Sequence, residues 1–136
     1  MEKEFIPYEQ ALELRHLGYN YESSYYWRKG NVGFYVNYGE YNYTNDHWMF
    51  NADDGKNRQL LCTAPLYQQA FRWFREKYNY IPHIYKYQDL NKYDFDLYGG
   101  LLDLYDEYSL GDDIFDTYEE VELACLKKLI EIAKNK

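Results

Sequence analysis

The run from Thr117 to Lys134 constrains the fold more than any other stretch of the chain, because it reads as a helix with a defined start and defined faces. Thr117 and Glu120 have the spacing of a capping box, in which a threonine hydroxyl accepts from a first-turn N–H and a glutamate reaches back. Val121, Leu123, Cys125, Leu126, Leu129, Ile130, Ile132 and Ala133 then cover more than half of the helical circumference, while Lys127, Lys128, Glu131 and Lys134 gather opposite. A helix over 118–134 with one wet stripe belongs in a core, so the rest of the chain has to supply the surfaces that cover it.

Two further helices are expected. Pro7 suits a first-turn position for a helix from Tyr8 to Leu17, with Ala11, Leu12, Leu14 and Leu17 as its apolar contacts and Gly18 as its stop. The stretch from Pro65 to Tyr78 carries the stripe Leu66, Ala70, Phe71, Trp73, Phe74 and Tyr78, has Thr63 available as cap, and turns Gln68, Arg72, Arg75 and Glu76 outward.

Between the helices the chain is β-branched and aromatic. Lys29-Gly30-Asn31 separates Tyr25–Trp27 from Val32–Tyr38, and Asp53-Asp54-Gly55-Lys56 separates His47–Phe50 from Gln59–Cys62, two hairpin patterns. Strand-like runs follow over Tyr80–Tyr87 and Tyr93–Tyr98, and Gly99-Gly100 offers a tight turn into Leu101–Tyr105. Leu101, Leu104, Tyr105 and Tyr108 fit a helical stripe as well, so strand and helix both stay open over Leu101–Leu110. The expected fold is α+β, an antiparallel sheet of four to six strands against two or three helices in an order near α-ββ-ββ-α-ββ-α, within a single domain over residues 1–136.

Each of the nineteen tyrosines brings a large apolar ring and a hydroxyl that seeks a partner or water, so mean hydropathy understates what the chain can bury. The two cysteines, Cys62 and Cys125, are far apart and lack any CxxC or Cys/His spacing, so they are expected to be free buried thiols of a reducing compartment. No apolar leader opens the sequence and no membrane-length apolar run occurs, which predicts a cytoplasmic protein with no membrane association.

Charge is distributed unevenly. Residues 1–88 hold ten acids and ten bases, residues 123–136 carry a net +3, and residues 89–122 hold twelve acids against Lys92 alone. The whole excess behind the net −8 therefore lies in one quarter of the chain, where it repels phosphate and attracts basic surfaces.

Chemical motifs are sparse. His16, His47 and His83 are widely spaced, no GxSxG, GxGxxG or GxxxxGK[ST] occurs, and the Asp53-Asp54-Gly55 run puts Phe50, Ala52 and Leu61 where an EF-hand needs ligands. Paired carboxylates such as Asp94 with Asp96, or Asp103 with Asp106, have the chemistry for a divalent cation or acid–base work, but no second motif completes such a site. They read otherwise as a solvated strand face, with Tyr93, Phe95 and Leu97 inward and Asp94 and Asp96 outward, or as an interaction surface.

Three segments, Met1–Leu12, Ala64–Tyr78 and Thr117–Ile132, resemble a family of small uncharacterised proteins encoded by bacteriophages and mobile elements of Bacteroidota-type bacteria. The resemblance covers the helices, about a third of the chain, and brings no functional residue with it. It implies a genetic setting in which small acidic proteins bind and disable host defence complexes, as anti-CRISPR-like inhibitors do.

The expected function is non-enzymatic protein binding, with no metal and no cofactor. Asp94, Asp96, Asp103, Tyr105, Asp106, Glu107 and Tyr108 form the expected contact surface, and the expected partner is a host or phage protein whose basic, nucleic-acid-binding groove they occupy. The competing expectations are a small metal-dependent nuclease or hydrolase using the paired carboxylates, and a single-stranded nucleic-acid binder using aromatic strands with Arg28, Lys29, Arg72, Arg75 and Lys77. Direct nucleic-acid binding is disfavoured by the charge.

Overall fold

A computed structural model describes residues 4–21, 25–27, 35–36, 48–50, 58–60, 62–99 and 114–135. The fold is α+β. The chain divides into two compact units, Met1–Leu66 and Tyr67–Lys136.

In the first unit helix α1 spans Tyr8–His16. Pro7 is its N-cap residue rather than a first-turn residue, held extended at φ −57° and ψ 152°. The helix ends in a Schellman motif: Gly18 at φ 100° donates to the Arg15 carbonyl at 3.0 Å, and Tyr19 donates to the Leu14 carbonyl at 2.9 Å. A residue with a Cβ is disfavoured at that φ, which explains the glycine that stops the helix. Gln10, Ala11 and Leu14 are buried, and Tyr19 folds back into the core just past the stop.

Strands β1 (Tyr25–Trp27) and β2 (Tyr35–Val36) pair antiparallel, as the first hairpin pattern predicts, with Tyr25 opposite Val36. Strands β3 (Trp48–Phe50) and β4 (Arg58–Leu60) pair in the same sense, with Trp48 opposite Leu60. Both expected turns lie outside the described residues. Cys62–Thr63 forms a separate strand, β5, on the free side of β1, where Trp27 pairs with Cys62 and Tyr26 with Thr63. Thr63 is therefore a strand residue and not the cap of the following helix. A bridge between Phe5 and Leu66, and the Ile6 N–H donating to the Pro65 carbonyl at 2.9 Å, keep residues 62–66 extended.

The second unit begins with helix α2 (Tyr67–Tyr78), whose Tyr67, Ala70, Phe71, Trp73 and Phe74 are buried. Gln68, Arg72, Arg75 and Glu76 face solvent as the pattern predicts, and Arg72 pairs with Glu76 one turn on at 3.0 Å. Asn79, at φ 59°, ends the helix and starts a long hairpin of β6 (Tyr80–Tyr87) and β7 (Lys92–Gly99), running from Tyr80 opposite Gly99 to Tyr87 opposite Lys92. Gly99 adopts φ +85°, and a Cβ there would fall 2.1 Å from the Asn79 carbonyl oxygen. Only glycine lets the two strand ends approach so closely.

Helix α3 spans Tyr118–Lys134, the limits read from the sequence. Thr117 Oγ1 accepts from the Glu120 N–H at 3.2 Å, while Glu120 Oε2 accepts from Asp116 N at 3.2 Å, one residue before the donor of a standard capping box. Val121, Cys125, Leu126, Leu129, Ile130, Ile132 and Ala133 are buried, and α2 and α3 pack on the hairpin and on each other. Among the described residues the strands form one three-stranded and two two-stranded antiparallel sheets, and no sheet of four to six strands is seen among them. Among these residues β5 extends the first hairpin, and the second and third hairpins each pair within themselves. Among the same residues no helix is long and apolar enough to cross a membrane.

Candidate functional site

The hairpin β6–β7 has two unlike faces, because residues directly opposite in an antiparallel pair point the same way. The inner face carries Tyr80, Phe95 and Leu97, all buried. Its rings continue into neighbouring elements: Tyr80 stacks on Tyr78 with centroids 5.3 Å apart, Phe95 lies 6.4 Å from Phe115, and Tyr93 meets Tyr118 edge-on at 5.9 Å. The outer face holds the cross-strand pairs Ile81–Tyr98, His83–Asp96, Tyr85–Asp94 and Tyr87–Lys92. Of these residues Ile81 is 44% exposed, His83 is exposed, and Tyr85, Tyr87, Asp96 and Tyr98 are half-buried.

Asp94 occupies the outer face, as strand alternation predicts, yet only 1% of it is exposed. The expectation of a solvated carboxylate at this position is corrected by what lies across the hairpin. Tyr85 and Tyr87 donate their hydroxyls to Asp94 Oδ2 at 3.3 and 3.2 Å, and the Phe95 N–H donates to Oδ1 at 2.7 Å. Two phenols over the Asp94 side chain remove it from water while replacing its hydration with donors, which is how a buried polar group is tolerated. In return the Tyr85 phenol is pushed above its ordinary range, first by its hydrogen bond with Tyr87, then by burial and by the charges of Asp94 and Asp96.

Asp96, two residues on, is a different carboxylate. It is half-buried, sits opposite His83, and accepts from the Tyr98 hydroxyl at 3.4 Å. The His83 ring lies 5.4 Å from Tyr85 and 6.2 Å from Tyr98, and Tyr85 meets Tyr87 edge-on at 5.5 Å. Rings at such distances form one continuous patch. Of the hairpin's two lysines, Lys86 lies on the inner face, 5.9 Å over the Tyr93 ring, and Lys92 is ion-paired with Asp116.

Of the residues expected to form the contact surface, the structure brings Asp94 and Asp96 onto one face. Asp103, Tyr105, Asp106, Glu107 and Tyr108 lie outside the described residues, as do Gly100 and the Leu101–Tyr105 run expected to follow the tight turn. Sequence reasoning passed over His83, Tyr85, Tyr87 and Tyr98. The signal was present: Ile81, His83, Tyr85 and Tyr87 alternate in one phase, and the four-residue turn Gln88–Asn91 sets that phase against Asp94 and Asp96.

Among the described residues, no three His, Cys, Asp or Glu side chains are grouped as metal ligands. Both cysteines are buried free thiols; burial pushes Cys62 up to about 11 and moves Cys125 in the same direction, away from the thiolate form that nucleophilic chemistry needs. No family model, curated protein or solved structure matches this chain.

Proposed function

We propose that this protein is a non-enzymatic binding module for a macromolecule with a basic surface, and that the outer face of hairpin β6–β7 is part of its contact region. The observation that supports this reading is the placement of Ile81, His83, Tyr85, Tyr87 and Tyr98 on the solvent side of a hairpin whose other side already supplies the core. Rigid aromatic rings with polar edges are the side chains that dominate binding surfaces, and here they are interleaved with carboxylates. In the sequence, Asp103, Tyr105, Asp106, Glu107 and Tyr108 repeat the same mix of acids and tyrosines.

The charge of residues 89–122 selects a basic partner and repels nucleic acid. In the setting that the resemblance to phage and mobile-element proteins implies, that partner is a bacterial defence protein, and occupying its nucleic-acid groove inhibits it.

The test is capture from a bacterial host lysate, followed by titration of the purified captured protein at about 50 and about 300 mM salt. Wild type is compared with a chain neutralised at Asp96, Asp103, Asp106 and Glu107. Affinity is expected to fall with salt and to fall at least about tenfold on neutralisation. Equal affinity of the two chains at both salt concentrations rejects the reading.

A further inference from the structure

We propose that the outer face of hairpin β6–β7 is a seat for an arginine side chain of the bound partner, with Asp96 as its counter-charge and the rings of His83 and Tyr98 as the surface on which the guanidinium lies. The inference rests on the binding-module reading above and narrows it to one chemical group and three residues.

Three features of the face fit a guanidinium. The first is proximity. His83 lies directly opposite Asp96 and Tyr98 stands two residues beyond it on the same face, so one carboxylate is flanked by an imidazole across the hairpin and a phenol along the strand. The second is charge. The hairpin's own cations are engaged elsewhere, Lys92 with Asp116 and Lys86 over Tyr93 on the inner face, while Asp94 and Asp96 add negative charge to a segment already strongly acidic. The third is rigidity. Asp94 ties down the Tyr85 and Tyr87 hydroxyls, Tyr85 packs on His83, and His83 on Tyr98, so the rings are positioned before anything binds. A surface ordered in advance loses less side-chain entropy on association.

Arginine is favoured over lysine by geometry. The planar guanidinium donates two parallel N–H bonds to one carboxylate and simultaneously stacks on an aromatic face. A lysine ammonium is a strongly hydrated point charge that gives up more water to reach the same place.

The experiment uses the full chain and short blocked peptides of equal length containing arginine, lysine or citrulline, with binding measured by calorimetry and by ¹H–¹⁵N NMR. The arginine peptide is expected to bind roughly five- to tenfold more tightly than the lysine peptide, and the citrulline peptide, which keeps the planar shape without the charge, to bind far more weakly. The amide signals of His83 and Asp96 should shift on addition of arginine peptide. Asp96→Asn and His83→Ala should each weaken its binding about tenfold, while Glu131→Gln, on the wet stripe of α3, leaves it unchanged. Equal affinity for arginine and lysine peptides, or unmoved His83 and Asp96 signals, overturns the seat. Should arginine binding ignore both variants while the captured partner still requires Asp103, Asp106 and Glu107, the seat is rejected and the binding-module reading stands. Loss of both sensitivities rejects the two together.

Discussion

The inner and outer faces of hairpin β6–β7 are built from similar residues and are used in opposite ways. Inward, Tyr80, Phe95 and Leu97 are buried in a layer shared with α2 and α3. Outward, Ile81, His83, Tyr85, Tyr87 and Tyr98 meet water, and the only fully buried side chain is a carboxylate, Asp94. Aromatic content alone therefore says little about where the core lies. What separates the faces is the company the rings keep: other rings and aliphatic chains inside, hydroxyl-to-carboxylate bonds outside. The inner face holds the fold by apolar burial, and the outer face holds its own shape by hydrogen bonding, which leaves ring surface available for contact.

That contrast is broken most directly by truncating buried rings of the hairpin's inner face and of α2 beside one ring of the outer face. Phe95→Ala and Phe74→Ala, both of fully buried rings, should each cost about 3 to 5 kcal/mol, enough to unfold a marginal domain. His83→Ala, on the outer face, should change stability by less than about 0.5 kcal/mol. Chemical denaturation of the three variants measures this, and a His83→Ala loss as large as that of Phe95→Ala would make the outer face part of the core.

The outer face has one position where stability is at stake. Tyr85→Phe and Tyr87→Phe keep the rings and remove one donor each from Asp94 Oδ2. Because either phenol alone still supplies a donor, each single change should cost about 1 kcal/mol. The double change leaves that oxygen buried without its phenols and should cost about 3 to 4 kcal/mol, more than the two singles together. Strict additivity in a double-mutant cycle would mean that the hydroxyls do not act on a shared acceptor.

How far this arrangement is readable from sequence depends on which residues are coupled. The limits of α3, the span of β6, and the inward placing of Phe95 and Leu97 follow from periodicity within a single segment, and the structure agrees with them. Pairing across segments is harder to read. Thr63 has the chemistry of a helix cap, but β1 claims it as a strand partner. Asp94 has the outward phase of a wet residue, but its environment is set by Tyr85 and Tyr87, nine and seven positions earlier, brought over it by the turn at Gln88–Asn91. Alternation reports a face; it does not report what the opposite strand lays over that face. The shifted capping box shows the same limit on a smaller scale, since spacing identified Thr117 and Glu120 while the backbone decided that Glu120 reaches Asp116.

A comparison of carboxylates carries the contrast to its smallest expected effect. Asp94 is buried among three donors, whereas Glu122 on α3 is half-buried beside another acid, and burial followed by the Glu119 charge pushes it from 4.5 up to about 7. It in turn helps push the Tyr67 phenol up to about 12, after burial of that ring. A carboxyl whose folded value is raised holds its proton more tightly in the folded state than in the unfolded chain. Its contribution is therefore fully favourable below about 4.5, and it is lost progressively as pH rises through about 7, after which the charged form is a constant penalty. The shift taken at face value would be larger, but a group this open to solvent is screened, and a penalty of about 1 to 2 kcal/mol is expected. Glu122→Gln should remove it. Denaturant midpoints measured from about pH 4.5 to pH 8 should show wild type losing stability relative to the variant across that window, with the variant the more stable at pH 8. Parallel curves for the two chains would show that Glu122 ionises as freely in the folded protein as in the unfolded one.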